Sequence, residues 1–513
     1  MQAIVLVSLA LVAMASAGVP RTPNKELSRM LMQQVLTKRS APAPSVETAA
    51  EPNKRIVIEN FFTTRVDHFN SQNTAEWTLR YFAVTDYYLP GGPILIFLGG
   101  NQPIRTSMVD ESSLIYDMGR EMNGAVYAFE SRFYGQSWVT EDSSTENLRF
   151  LNTDQILADL AEFVRYLKQE VLKNENARVM VSGSEFGGSL ATWFRVRYPH
   201  LADAAWSSSA WTNAVMDFQE FSEAWGQSLI TYGSQECYND IFVAFHVMQN
   251  LLDSGLGDLL YEKLNICTPI DVENRLQVQY FFSILMTSIE MYTLRNRDIA
   301  AFAEVCEDIT VGDMPTALDA FANWFNTKFA EDIGCVVTDV DTAVELFSET
   351  DWNSSLVLMG ARQWMYQECN EFGWFFTTDS DNQPFGNRVN LELYSEMCRM
   401  IFGDWISFES IYYATQRANN RFGGNSPRIT EVHFTNGAAD PWRKISITQD
   451  RNAFALADVI PRELSGSDLP AISENDSEEL RQVKLRVKGL MATYLYPGNP
   501  RKMAKSEELV AEN

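Results

Sequence analysis

The chain has 513 residues, 46% of them apolar and 21% charged, the balance of a soluble globular protein with length for roughly two to four domains. Lys and Arg number 41 against 67 Asp and Glu, a formal charge of −26. That balance argues against nucleic acid and anionic membrane as partners, since both require a basic face. There are only four histidines, His68, His200, His246 and His433. A mechanism that needs a His base must draw on these four.

Residues 3–15 are apolar and end in Ala15-Ser16-Ala17, a small-x-small cleavage signal. The run is too short to span a bilayer, which needs about 20 residues. Residues 1–17 therefore read as a signal peptide, and the chain as secreted or lysosomal. Residues 18–55 are rich in Ala, Pro, Ser, Thr and charge, which predicts a flexible or pro-like segment. Pro93–Leu98 and Ala125–Glu130 are continuous apolar runs, as in strands buried on both faces of a parallel sheet. Apolar residues recur at helical spacing from Asp154 to Leu172. Arg178–Ser182 is a strand candidate, Gly183–Gly188 a tight turn and Ser189–Arg197 a helix. This alternation is the grammar of an α/β sheet.

The middle of the chain changes character. Residues 213–424 are helical in pattern and aromatic-rich, with Tyr280–Tyr292 a buried helix. All six cysteines fall here: Cys237, Cys267, Cys306, Cys335, Cys369 and Cys398. An even number in a secreted chain implies disulfides, with 15 pairings open. None has metal-ligand spacing, so no metal site and no cofactor is expected. Arg428–Phe434 returns to strand pattern, and Glu478–Leu495 reads as a closing amphipathic helix before a charged tail, 498–513. The plan is an α/β domain of residues 56–212 and 425–497 with a helical insertion at 213–424. Asn353 and Asn475 begin glycosylation triplets.

The turn after Val181-Ser182 has the frame of a nucleophile elbow, G-x-S-x-G, whose glycines permit a sharp strand-to-helix turn. Gly183 and Gly187 have that spacing, but the residue between them is Glu185. Ser184 is off by one.

Residues along most of the chain carry a resemblance. They include Val66-Asp67-His68-Phe69, Arg80-Tyr81-Phe82, Gly99-Gly100, Arg132-Phe133-Tyr134-Gly135-Gln136-Ser137 and Asn147-Leu148-Arg149-Phe150-Leu151. Gly187-Gly188-Ser189-Leu190-Ala191, Arg362-Gln363-Trp364, Tyr366-Gln367-Glu368-Cys369 and Asp440-Pro441-Trp442 continue the series. In this ordered set the chain resembles the serine carboxypeptidase family of lysosomal Pro-X carboxypeptidase, dipeptidyl peptidase II and thymus-specific serine protease. The resemblance implies an α/β-hydrolase domain with an inserted helical, disulfide-bearing cap, and cleavage next to proline by a Ser–Asp–His triad.

Carried over residue by residue, the triad keeps its Asp as Asp440 but has Glu185 for its Ser and Ser465 for its His. Gly99-Gly100-Asn101-Gln102 stands where the family has Gly-Gly-Glu-Gly, and Glu130-Ser131-Arg132 where it has Glu-His-Arg. The backbone N–H groups of Phe186 and Gly100 are the expected oxyanion hole. Glu185 is expected to turn its carboxylate toward them. Glu185 and Asp440 are also expected to lie close enough to raise one pKa, unless Arg443 neutralises one of them. These replacements predict a pseudo-peptidase without activity that binds a peptide or protein, a second copy of the chain included. An active exopeptidase and a non-enzymatic storage or structural protein are the alternatives.

Overall fold

A computed structural model describes residues 57–296, 298–312, 315–330 and 335–496. The predicted signal peptide, the whole of the segment 18–55 and the tail 498–513 lie outside these residues. Among them, ten strands form: β1 (Ile58–Arg65), β2 (Glu76–Val84), β3 (Ile94–Leu98), β4 (Ala125–Phe129), β5 (Val179–Ser184), β6 (Ala204–Ser208), β7 (Val215–Asp217), β8 (Gly373–Phe375), β9 (Val432–Gly437) and β10 (Ala455–Ile460). The chain divides into two compact units, one of residues 47–214 and 416–513, the other centred on residues 215–415.

The first unit holds an eight-stranded sheet of order β1-β2-β4-β3-β5-β6-β9-β10. β1 and β2 pair antiparallel, as do β2 and β4, and every pairing from β4 to β10 is parallel. The apolar runs of β3 and β4 are buried at every residue, because helices cover both faces of the sheet. Behind one face, Leu114, Met118, Trp206, Val487 and Met491 share a single cluster. This is the sheet of an α/β hydrolase, and its carboxyl edge carries the loops that matter below.

Several local expectations shift. The helix predicted from Asp154 to Leu172 runs from Thr153 to Tyr166 and ends in a π turn at Leu167–Val171. Its start is set by Asn152, whose side chain accepts from the Gln155 N–H. The turn read over Gly183–Gly188 shrinks to one residue, since β5 continues to Ser184 and the next helix begins at Phe186. β1, β2, β6 and β10 escape the periodicity reading, as do the short β7 and β8 within the stretch read as helical. β1 is an edge strand with only two buried residues, and β10 carries Asp458 within it.

The second unit is helical and carries three disulfides, Cys237–Cys306, Cys267–Cys335 and Cys369–Cys398. Its longest helix, Arg275–Asn296, contains the predicted Tyr280–Tyr292. Among the described residues no helix is long and apolar enough to cross a membrane. Two of the bridges close loops with separations of 69 and 68 residues, so each removes considerable chain entropy from the unfolded state. Replacing Cys237 and Cys306 together by Ala is expected to lower stability by about 4 kcal/mol. A urea midpoint unchanged by the replacement would contradict this.

Candidate active site

β5 enters the helix Phe186–Arg197 through Glu185 alone, which adopts φ 58 and ψ −123. A non-glycine residue at positive φ costs about 1–3 kcal/mol and persists only where its surroundings hold it. The Glu185 N–H donates to the Ser208 carbonyl at 3.0 Å, and its own carbonyl accepts from the Ser189 N–H at 2.9 Å. The flanking glycines are needed for contact. A Cβ on Gly183 would lie 2.5 Å from the Gly187 carbonyl carbon, and one on Gly187 would lie 2.4 Å from the Leu98 oxygen. The elbow is therefore built as in a hydrolase, with a carboxylate at its tip.

That carboxylate is buried, with Glu185 only 5% exposed. Its Oε1 accepts a hydrogen bond from Ser465 Oγ at 2.8 Å. The residues at the Ser and His positions of the resemblance, 280 apart in sequence, are thus in direct contact. The loop after β3 lies against the first turn of the helix: a Cβ on Gly100 would sit 2.7 Å from the Gly187 nitrogen and 3.5 Å from the Phe186 carbonyl carbon. Gly100 and Phe186 are therefore brought together beside the elbow.

Asp440 stands on the turn after β9 and is 2% exposed. Its Oδ1 accepts from the Trp442 N–H at 3.0 Å, which caps the short turn Pro441–Ile445. Its Oδ2 is buried with no hydrogen-bond partner among the described residues. Burial pushes the Asp440 carboxyl up to about 7, against a smaller downward pull from the Trp442 N–H and the Arg443 charge. The cause differs from the carboxylate pairing expected with Glu185. Arg443 acts on Asp440 only through that weaker charge effect, and its Nε donates to the Ala438 carbonyl at 2.8 Å.

The four histidines are placed elsewhere. His433 is fully buried on β9, with Nε2 2.7 Å from Asp458, which also binds Arg486. His68 Nε2 lies 2.6 Å from Asp159, whose carboxylate is gripped by Arg132. His200 and His246 are exposed. Asn101 Nδ2 and Ser131 Oγ are both buried and lack a hydrogen-bond partner among the described residues. Glu130, between these two loops, is by contrast fully used: Arg80, Ser137 and the N–H groups of Ile104 and Gln136 all donate to it. Asn353 and Asn475 are exposed.

Sequence reasoning missed Asp468. Its buried carboxylate accepts from Ser208 Oγ at 2.6 Å, Thr435 Oγ1 at 2.5 Å and Trp206 Nε1 at 3.2 Å. These donors sit on β6 and β9, so Asp468 anchors the loop that presents Ser465. The Gly466 N–H adds a bond to Ser209 Oγ at 3.1 Å. No motif marks Asp468, because its donors are scattered through the chain.

The serine carboxypeptidase S28 family matches residues 64–487. Mouse thymus-specific serine protease is 28% identical over 445 residues, covering 84% of this chain and 86% of that protein. Bovine lysosomal Pro-X carboxypeptidase is 26% identical over 444 residues, 81% of this chain and 83% of its own. Among solved structures, a lipase in its open form aligns over 85% of this chain and 99% of its own, at 12% identity and a TM-score of 0.31. With one family matched across most of its length, the chain belongs to the serine carboxypeptidase S28 family.

Proposed function

We propose that this protein is a pseudo-peptidase, a member of its family that binds a peptide or protein without cleaving it. The hydrogen bond from Ser465 Oγ to Glu185 Oε1 carries the reading. In a working triad the His takes a proton from the Ser hydroxyl, and the Asp holds the His tautomer. Here the elbow offers a carboxylate and position 465 offers a hydroxyl, so neither attack nor proton relay follows. A glutamyl ester could form in principle, but its hydrolysis needs a base to activate water. His68 and His433 are paired with carboxylates of their own.

The backbone donors of Phe186 and Gly100 survive the loss of side chains. We infer that the Glu185 side chain, in place of a nucleophile, competes with a substrate carbonyl for that hole. The relatives named lysosomal and extracellular support the same compartments for this chain, in keeping with three disulfides. Asn353 and Asn475 would then carry glycans.

The test is activity. Purified protein incubated with a fluorophosphonate probe and with proline-containing peptides is expected to show neither labelling nor cleavage. Labelling that Ser184→Ala or Ser182→Ala abolished would overturn the proposal in favour of an active exopeptidase.

A further inference from the structure

The helical unit carries an aromatic face that the candidate active site does not use. Trp405, Phe408, Tyr412 and Tyr413 are 51, 53, 48 and 68% exposed. Aromatic side chains bury about 150–250 Å² each, so these four leave roughly 400–500 Å² of surface in water. That reaches the size of the largest patch on a typical monomer.

Three of the four lie on one helix, and Trp405 stands three residues before its start. Phe408 and Tyr412 lie a turn apart on the helix Phe408–Phe422. The Tyr412 and Tyr413 rings are 5.7 Å apart. Trp405 precedes the helix in its lead-in loop, and its Nε1 donates to the Phe402 carbonyl at 3.0 Å, which holds the indole in place. Ile411, Ala414 and Thr415 are buried on the opposite side.

Carboxylates stand among these rings. Glu409 is exposed and lies one turn before both Tyr412 and Tyr413. Asp404, next to Trp405, has a side chain 90% exposed and meets Arg399 at 2.9 Å, a guanidinium shared with Glu396. Two acids thus stand beside the aromatic face; Arg399 is divided between Asp404 and Glu396, and Arg417 is exposed one turn beyond Tyr413 on the same helix.

We propose that this face binds a basic segment of a partner protein, with Arg or Lys side chains stacked on the rings and paired with Glu409 and Asp404. Aromatic faces attract cations through their quadrupole, and Arg stacks on them especially well. The chain's charge of −26 steers a basic partner inward and repels a second copy of itself.

A fluorescent nona-arginine peptide titrated into the full-length protein at about 0.15 M salt tests this by anisotropy. Binding is expected. Glu409→Gln, and separately Tyr412→Ala with Tyr413→Ala, are each expected to weaken it about fivefold or more. Glu146→Gln removes the same charge from an exposed site in the other unit and is expected to leave affinity unchanged. Equal loss with Glu146→Gln would reduce the effect to the diffuse acidic field and overturn the proposal. So would no binding, or indifference to the tyrosines. Sedimentation showing a dimer that Phe408→Ser dissociates would also overturn it, by making a second copy the occupant.

Discussion

A protein carrying Glu185→Ser together with Ser465→His is expected to react with a fluorophosphonate probe, whereas neither single variant does. The elbow backbone is already at φ 58, held by Ser208 and Ser189. Position 465 already touches position 185, through a 2.8 Å hydrogen bond. Asp440 Oδ2 is buried and unpartnered, so an imidazole N–H at 465 would offer the acceptor a donor. The swap moves the longer side chain from 185 to 465 and nearly conserves total volume, the kind of change that packed interiors tolerate best. Each single variant breaks that balance. Triad members act as a unit, and lacking any one costs about 10⁴–10⁶ in rate. The double variant is therefore expected to exceed either single one by at least about 10³. Silence from a correctly folded double variant would mean that the pocket has drifted elsewhere too, with Asn101 and Ser131 the first positions to restore.

Asp440→Asn is expected to change how stability depends on pH. The Asp440 carboxyl is raised to about 7 by burial, above the usual value near 3.9. Between these pH values the folded chain keeps the proton that the unfolded chain has lost. Stability contributed by Asp440 is therefore full below about pH 4, falls as pH rises through 7, and levels off above it. Asn cannot ionise, so the variant escapes this loss. The stability gap in favour of Asp440→Asn is expected to widen by about 3 kcal/mol from pH 5 to pH 8. Urea titrations followed by tryptophan fluorescence at the two pH values would read it. A gap that stays constant with pH would show that burial does not hold the proton on Asp440.

The two predictions are linked. In the double variant a His at 465 supplies the donor that Asp440 lacks, which stabilises its ionised form. The pH-dependent loss should then shrink without any change at position 440. Measuring both variants together separates a restored Asp–His contact from a mere gain in packing.

Much of the site was legible in order along the chain. Gly183 and Gly187 mark the elbow because no side chain fits where their backbones meet Gly187 and Leu98. Asp440 and Ser465 were located by the motifs around them. The reason for the raised Asp440 pKa is not legible in the sequence: the triad positions suggest charge pairing with Glu185, and desolvation is the cause. Asp468 was invisible for a similar reason, since its partners Ser208, Thr435 and Trp206 come from distant segments. β1 and β10 also escaped, because edge strands need not be apolar along their length.

By itself, the sequence determined which side chains stand at the elbow and after Asp440. With four histidines and none from 434 to 513, no imidazole stands in the segment after Asp440, and with Glu185 between the elbow glycines no hydroxyl stands at the tip. Those are statements about residue identity, which needs no folding to be known. Only the tertiary structure decided how six cysteines pair, that Ser465 bonds to Glu185 across 280 residues, and that Asp440 is dry enough to hold a proton near neutrality. Each of these depends on which distant segments exclude water from one another, a property of the packed chain.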